Sequence, residues 1–176
     1  MLNILFAAQR KRGQMKGTDQ LEPLFDRLAA AYPDRIRLTK VQSVPFSQYQ
    51  RLVAEADVVV DQLYSFTPAM AALESMSQGK LVISGYEPEY QQFILASQPS
   101  VDGAVTAPLL NLRPFEDEAN YRLLEQTLLD TRRVTDMKEA AQQFVRRHHD
   151  ADQVAARYVA VWQGALSSSS SRPSQR

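Results

Sequence analysis

Short apolar runs alternate along this sequence with longer stretches in which apolar residues recur at every third or fourth position. Short apolar runs between polar segments are typical of buried strands, whereas spacing by three and four is typical of helices with one buried face. When strands and helices alternate along a chain, the strands generally form a parallel sheet with helices on both faces. The sequence therefore predicts the α/β class, with a Rossmann-like, doubly wound parallel sheet of about five strands flanked by helices.

The predicted elements follow this alternation. The strands are LNILFAA, RIRLTKV, DVVVDQL, KLVIS and APLLNL. The helices are TDQLEPLFDRLAAAY, QYQRLVAEA, SFTPAMAALESMSQGK, EPEYQQFIL, EDEANYRLLEQTLLDT, TDMKEAAQQFVRRHH and ADQVAARYVAVWQGAL. Pro23 favours a start of the first helix close to itself, and Ser47 is expected to cap the second. In the third helix Thr67 is the expected cap, Pro68 the first helical residue and Gly79 the left-handed terminator.

Length and composition indicate one domain. The chain has 176 residues, of which 44% are hydrophobic and 23% charged, and this is sufficient for a sizeable core. We assign the domain to residues 1–166, with Tyr158 and Trp162 as packing residues of its last helix. The segment SSSSSRPSQR, residues 167–176, cannot bury enough apolar surface to offset its ordering entropy and is predicted to be disordered.

Charge and cysteine content narrow the classes of function. Lysine and arginine number 20, as do aspartate and glutamate, and the resulting net charge of zero disfavours a nucleic-acid partner. The absence of cysteine excludes disulfides and thiolate metal sites. No apolar run approaches the roughly 20 residues that span a bilayer, and MLNILFAAQRKR lacks the order of a signal peptide. These features predict a cytoplasmic chain.

No residues have the spacing of a metal site. His148 and His149 stand at the junction of two predicted helices, where basic residues are expected at a helix end. Asp57 and Asp61 do not form a D-x-D metal motif. A metal-independent protein is expected.

A basic loop that contains glycine follows the first strand. Ligands of open parallel sheets bind where strands lead into helices, and glycine lets the backbone approach an anion. The loop matches neither the G-x-x-x-x-G-K-[ST] phosphate loop nor the G-x-G-x-x-G fingerprint. It is therefore either a phosphate-binding loop of another kind or, like most charge runs, a solvated surface loop. Its sequence, QRKRGQMKGTD, contains Arg10, Lys11, Arg12, Gly13, Lys16 and Gly17.

Glu74 is a single carboxylate in an otherwise apolar helix. The N-terminus of this helix, expected at Thr67 and Pro68, favours negative charge. Glu74 lies six residues after Pro68, and this spacing places it about 9 Å from the helix start. A pyrophosphate at the start would leave a ribose near Glu74, whose carboxylate is a natural acceptor for two sugar hydroxyls. The alternative is an exposed glutamate with no special role.

These segments resemble a known family. ADVVVDQLYSFTPAMAALESMSQGKLVIS resembles the donor-binding half of the group 1 retaining glycosyltransferases of the GT-B fold, where a strand, a turn, a helix with a glutamate and a further strand hold a nucleotide sugar. ILFAAQRKRGQMKGTD resembles the strand and Lys-Gly loop that open this half. VPFSQYQRLVAEAD resembles the helix before its third strand, and QQFVRRHHDADQVAARYVAVW resembles its closing helices. The resemblance covers about residues 1–166.

The resemblance implies roles for individual residues. The ribose would be bound by Glu74, and Val44 and Ser65 would contact the base or the sugar. Glu87 follows the fourth strand on the ligand side of the sheet, and it is either a further contact of the donor sugar or a cap of the next helix. No catalytic residue is assigned. No metal or cofactor is expected, because fixed cations and a helix N-terminus can stabilise a leaving nucleoside diphosphate. The donor diphosphate would be bound by Arg10, Lys11, Lys16, Gly17, Phe66 and Thr67.

Two departures from the family pattern bear on these roles. The family has a second acidic residue eight positions before the helix glutamate, where this sequence has Phe66. Either backbone groups of residues 65–67 contact the sugar, or donor recognition has shifted, or this copy is impaired. The glycine-rich turn after the second strand is replaced by VQSVPF, so the base would be recognised by residues 41–44.

GT-B enzymes use two such domains, and the resemblance covers the donor-binding one. It implies a C-terminal domain that binds a nucleotide sugar but does not transfer the sugar alone, with the missing N-terminal acceptor domain as its partner. A one-domain protein that works with a separate partner is the alternative. The implied enzyme is a hexosyltransferase of polysaccharide or glycoconjugate assembly, cytoplasmic or peripherally associated with the inner face of the membrane. A non-catalytic Rossmann-like interaction module and a degenerate glycosyltransferase half are the competing hypotheses.

Overall fold

The structure is a computed structural model, and it describes residues 1–8, 12–97, 100–101 and 104–170. The strands are β1 (Leu2–Ala8), β2 (Ile36–Gln42), β3 (Val58–Val60), β4 (Leu81–Ser84), β5 (Ser100–Val101), β6 (Ala104–Val105) and β7 (Leu110–Asn111). The helices are α1 (Gly13–Lys16), α2 (Thr18–Ala31), α3 (Phe46–Glu55), α4 (Met70–Ser77), α5 (Pro88–Ser97), α6 (Asp117–Leu128), α7 (Thr131–His148) and α8 (Ala151–Ser170).

Five strands form one parallel sheet in the order β2-β1-β3-β4-β7. This confirms the predicted α/β class, the parallel sheet and its number of strands. The sequence did not predict β5 and β6, which form a separate antiparallel pair. Each of these two strands has only two residues, too few to show an alternation of apolar and polar residues.

Both faces of the sheet are covered, because successive side chains of a strand point to opposite faces. On one face, Ile4 and Phe6 of β1 belong to a core cluster with residues of α2 and α6. On the other face, Leu5 of β1 packs with Val53 of α3, while Val82 of β4 belongs to a cluster with residues of α4 and α7. The continuous apolar strands of the sequence are thus buried on both sides.

The helix that carries Glu74 starts later than predicted. α4 begins at Met70 and its N-cap is Ala69, whose side chain makes no capping hydrogen bond, so the assignments of Thr67 as cap and Pro68 as first helical residue were wrong. The backbone N–H of Ala69 instead faces the carboxylate of Asp61, which lies eight residues earlier, directly after β3. The end of the helix was predicted correctly, since Gly79 has a left-handed φ of 71°.

Two further helix starts differ from the prediction. Pro45 is the N-cap of α3, and its carbonyl accepts hydrogen bonds from the N–H groups of Gln48 and Tyr49, so Ser47 lies inside the helix and does not cap it. α2 begins at Thr18, and Pro23 lies within it. Burial of Leu21 in the core stabilises this first turn despite the hydrogen bond that proline cannot make.

α8 does not pack as predicted. Tyr158 and Trp162 are 60% and 62% exposed, so their assignment as packing residues was wrong. Helical spacing shows that two side chains share a face, but not whether another element covers that face. α8 extends to Ser170, whereas residues 171–176 lie outside the described residues, and the disordered tail over 167–176 stays a prediction. In the part of the chain that the structure describes, no helix has the length and apolar character to cross a bilayer.

Candidate functional site

A cavity of about 820 Å³ lies at the carboxyl ends of β1, β2 and β3. This is the edge where open parallel sheets bind their ligands. Its walls come from the segments that follow these three strands, and it brings together the cations of α1, the carboxylate of α4 and apolar side chains of α3. Lys16 and Glu74, assigned from the sequence to one ligand, thus line the same cavity.

The cations are held by the segment after β1. The carbonyl of Lys16 accepts hydrogen bonds from the N–H groups of Leu63 at 2.7 Å and Tyr64 at 3.2 Å. Gly17 has a φ of 67°, and a Cβ atom at this position would lie 2.7 Å from the Cβ atom of Leu63. Glycine at position 17 therefore lets α1 lie directly against the chain beyond β3, and this contact positions Lys16 at the cavity.

Arg12 lies at the start of α1 and also lines the cavity. Arg10 and Lys11, predicted to bind the diphosphate, lie outside the described residues. The structure therefore gives two cations for the cavity, Arg12 and Lys16, and the roles of Arg10 and Lys11 stay predictions. The basic run QRKRGQMKG, expected as a loop, contains the short helix α1.

Glu74 lies closer to the start of its helix than the sequence suggested. Because α4 starts at Met70, Glu74 is in the fifth helical position. It lies roughly 6 Å along the axis from the first helical residue, rather than the 9 Å expected from a start at Pro68. The carboxylate is half-buried at the cavity wall, and its role as the ribose acceptor stays a prediction.

The third wall of the cavity is apolar. Val44, Phe46 and Tyr49 line it, and the ring of Phe46 is 63% exposed. The Tyr49 hydroxyl faces Ser75 of α4, and burial raises the pKa of Tyr49. Val44 was predicted as a contact of the base or sugar. Phe46 and Tyr49 were missed, although they follow Val44 in the same segment.

Asp61 is a second carboxylate of the cavity that sequence reasoning did not assign to the site. It follows β3 directly and is 8% exposed, and its Oδ2 atom is buried without a hydrogen-bond partner among the described residues. Burial raises the pKa of Asp61, whereas the nearby ammonium of Lys16 and the N–H of Ala69 favour the charged form. An aspartate directly after a buried strand was the pattern that could have placed it at the ligand edge.

A second cavity of about 540 Å³ lies at the carboxyl ends of β4 and β7. It is lined by Ser65, Phe66 and Glu87, three of the residues predicted to contact the donor. Phe66 is 80% exposed, and the backbone N–H of Glu87 donates to its carbonyl at 3.4 Å. Thr67 lines neither cavity. The predicted diphosphate residues are therefore divided, with Phe66 beside the second cavity and Lys16 beside the first.

No group of three or more potential metal-binding side chains is found among the described residues. His148 and His149 lie at the end of α7, as expected. The centroids of their rings lie 5.0 Å and 5.5 Å, respectively, from the centroid of the Phe144 ring. Metal-independent binding stays a prediction.

Solved structures with the same fold include the C-terminal domain of a glycosyl transferase group 1 family protein from Francisella tularensis. That domain superposes with a TM-score of 0.57 and 14% sequence identity, over 85% of this chain and 87% of its own. The fold is that of one GT-B half. Sucrose-phosphate synthase from Thermosynechococcus elongatus has a TM-score of 0.57 and 14% identity, over 95% of this chain and 46% of its own.

The HepE protein of Anabaena, solved in complex with UDP and glucose, has a TM-score of 0.52 and 15% identity, over 91% of this chain and 40% of its own. This chain therefore spans less than half the length of these two larger proteins. No family model matches the sequence, and no curated protein sequence matches it. The resemblance to the GT-B donor-binding half is confirmed at the level of the fold.

Proposed function

We propose that this chain is the nucleotide-sugar-binding domain of a glycosyltransferase with the GT-B fold. The observation that supports this most is that Lys16 and Glu74 line the same cavity, because a cation and a carboxylate in one cavity suit the diphosphate and the ribose of one nucleotide. The structural neighbours add support, because a glycosyl transferase group 1 family protein has this fold and the HepE protein, which also has it, was solved in complex with UDP and glucose.

Each wall of the cavity has a part of the donor assigned to it in this proposal. Lys16 and Arg12 bind the diphosphate, since ammonium and guanidinium groups form charge-assisted hydrogen bonds with phosphate oxygens. Glu74 accepts the ribose hydroxyls. The base lies against Val44, Phe46 and Tyr49, where an exposed aromatic ring offers a face for stacking.

The sugar of the donor extends toward the second cavity. Glu87 supplies a carboxylate there and Ser65 a hydroxyl group. Phe66 supplies an apolar surface at the position where the family has an acidic residue. When the glycosidic bond breaks, negative charge develops on the leaving diphosphate, and the cations of α1 stabilise that charge without a metal.

Sugar transfer requires more than this domain. The larger neighbours have more than twice the length that this chain matches, and we propose that an acceptor domain completes the enzyme. The chain alone then binds a donor without transferring its sugar. A role in polysaccharide or glycoconjugate assembly, in the cytoplasm or at the inner face of the membrane, is part of the proposal.

The test is calorimetric titration of the chain with UDP, GDP, UDP-glucose and GDP-mannose. We expect one nucleotide to bind, and Lys16→Ala and Glu74→Ala each to weaken it at least tenfold. Glu55→Ala and Arg51→Ala, which remove exposed charges of α3, serve as matched controls and are expected to bind as the wild type does. Loss of binding in the controls as well would contradict a site at the cavity.

A degenerate half is the second candidate, and the observation that favours it is Phe66 in place of a carboxylate. In that case the folded chain binds none of the four nucleotides. Thermal unfolding with and without each nucleotide separates this outcome from a misfolded sample, since a ligand that binds the native state raises the melting temperature.

A further inference from the structure

Asp61 lies at the floor of the cavity and has no role in donor binding as proposed above. Its backbone N–H donates to the carbonyl of Ile83 at 3.0 Å, so the residue is fixed to β4. The residue is buried, with an exposure of 8%. One carboxylate oxygen, Oδ2, is buried without a hydrogen-bond partner among the described residues. A charged carboxylate with an unsatisfied buried oxygen is costly unless nearby cations compensate it.

The compensation comes from the groups proposed to bind the diphosphate. α1 provides Lys16, which favours the charged form of Asp61, and α4 provides the N–H of Ala69 at its start. The other charged and titratable groups on the cavity are Arg12 of α1, Glu74 of α4 and Tyr49 of α3. Neither histidine of the chain lines the cavity.

A bound diphosphate changes this balance in two ways. Its oxygens pair with Lys16, which then compensates Asp61 less, and its own negative charges repel the buried carboxylate. Like charges in a poorly solvated site favour protonation of one of them. Glu74 is the other carboxylate of the cavity, but it is only half-buried, so Asp61 is the group for which the charged form becomes more costly.

From this geometry we propose that Asp61 is a determinant of donor affinity that takes up one proton from solvent as the diphosphate binds. The proton adds to a carboxylate oxygen and leaves a neutral acid beside the bound donor. This inference rests on the proposed function, because it requires a diphosphate beside Lys16. It makes donor binding stronger at lower pH, since linkage requires that a ligand whose binding takes up protons bind more tightly when protons are abundant.

The experiment uses UDP-glucose and GDP-mannose, whichever binds. Both phosphates of these donors are esterified, so the ligand itself has no phosphate group that titrates near neutral pH. Calorimetry in two buffers with different ionisation enthalpies gives the number of protons taken up, and titration from pH 5.5 to 8 gives the dissociation constant at each pH. For the wild type we expect net proton uptake and a dissociation constant that rises with pH, with a slope that approaches tenfold per pH unit where a full proton is taken up.

Asp61→Asn keeps the shape and the acceptor for Ala69 but is never charged. We expect it to take up no proton, to bind the donor with a constant that does not change with pH, and to bind about threefold tighter than the wild type at pH 8. Asp57→Asn is the matched control, because Asp57 stands at the opposite end of β3 and its partner is Lys138. It is expected to keep the proton uptake of the wild type.

The outcomes separate the inference from the proposed function. If a donor binds but Asp61→Asn retains the wild-type proton uptake and pH dependence, the inference is overturned and the proposed function stands. Absence of proton uptake by the wild type overturns it as well, even where Asp61→Asn does not fold. If no donor binds to the folded wild type, the proposed function fails and the inference fails with it.

Discussion

The N–H of Leu63 donates a 2.7 Å hydrogen bond to the carbonyl of Lys16 and joins the segment after β1 to the segment after β3. The contact requires a residue without a side chain at position 17, where φ is 67°. Gly17→Ala is expected to lower the free energy of unfolding by about 2 kcal/mol, the sum of a left-handed backbone and the clash with Leu63. Urea unfolding measures this change.

The control for that variant is Gly13→Ala. Gly13 is the first residue of α1, and the nearest atom to an added Cβ is the Thr18 hydroxyl oxygen at 3.6 Å, an ordinary contact. Its unfolding free energy is expected to change by less than about 0.5 kcal/mol. Equal losses in the two variants would contradict the close approach of α1 to Leu63.

Phe46 provides a test of how the base is held. Phe46→Ala is expected to weaken binding of UDP or GDP roughly tenfold, because stacking of a base on an aromatic ring contributes about 1–3 kcal/mol. The ring is 63% exposed, so stability is expected to remain as in the wild type. Calorimetric titration measures the affinity.

The matched control is Phe115→Ala, since Phe115 is 80% exposed and does not line the cavity of Lys16 and Glu74. Ribose 5-phosphate, which has no base, is the matched ligand control. Stacking on Phe46 would be refuted by an equal loss of affinity for nucleotide and ribose 5-phosphate.

The ion pair of Asp57 and Lys138 makes stability depend on pH. Burial raises the pKa of Asp57, but the N–H of Asn3 and the ammonium of Lys138 at 3.1 Å outweigh it, and the folded-state pKa lies below the ordinary value of 3.8. A carboxyl group with a lowered pKa stabilises the fold at pH values above its unfolded-state pKa. This contribution is lost as the pH falls through the folded-state pKa.

Asp57→Asn is therefore expected to cost about 0.5–1 kcal/mol at pH 7, a value kept small because the pair is partly solvated. Well below pH 3.8 the difference from the wild type is expected to vanish. Urea unfolding at both pH values measures it, with the exposed Asp34→Asn as control. A difference that is the same at both pH values would show that charge is not its cause.

Trp162, the single tryptophan of the sequence, is 62% exposed on α8. Its fluorescence is expected to resemble that of solvated indole and to shift little on unfolding in urea, whereas circular dichroism reports the loss of helix. Trp162→Ser is expected to change the unfolding free energy by less than about 0.5 kcal/mol. Strong protection from acrylamide quenching would show instead that the indole is covered.

The elements that the sequence predicted best are those whose pattern is local. Three consecutive valines, Val58–Val60, favour a buried strand whatever the rest of the fold is. Gly79 ends α4 through its own left-handed backbone conformation, which needs no partner elsewhere in the chain. The start of α4 was misplaced because the group that faces its first free N–H is Asp61, from the end of β3, and such a partner is not visible in the helix sequence itself.

The site was also predicted only where its residues belong to a local sequence pattern. Lys16 and Glu74 belong to segments with a recognisable pattern, and they do line one cavity. Phe46 and Asp61 were missed, because neither residue belongs to a recognisable sequence pattern. Their place in the site is evident only when the fold brings the carboxyl ends of three strands together. Tyr158 and Trp162 show the reverse error, since an apolar face was read as packed although α8 leaves it uncovered.

The order of the sheet has a consequence for how such a site changes. β1 lies between β2 and β3, and the cavity walls come from three separate connections, each leaving the sheet at its carboxyl edge. One connection supplies the cations, one the aromatic rings and one the carboxylates, while the strands beneath are packed on both faces. We expect the parts of the site to be exchangeable one at a time. Replacing the segment between β2 and α3 should alter which base is bound, while phosphate binding and folding stay the same because they depend on other segments.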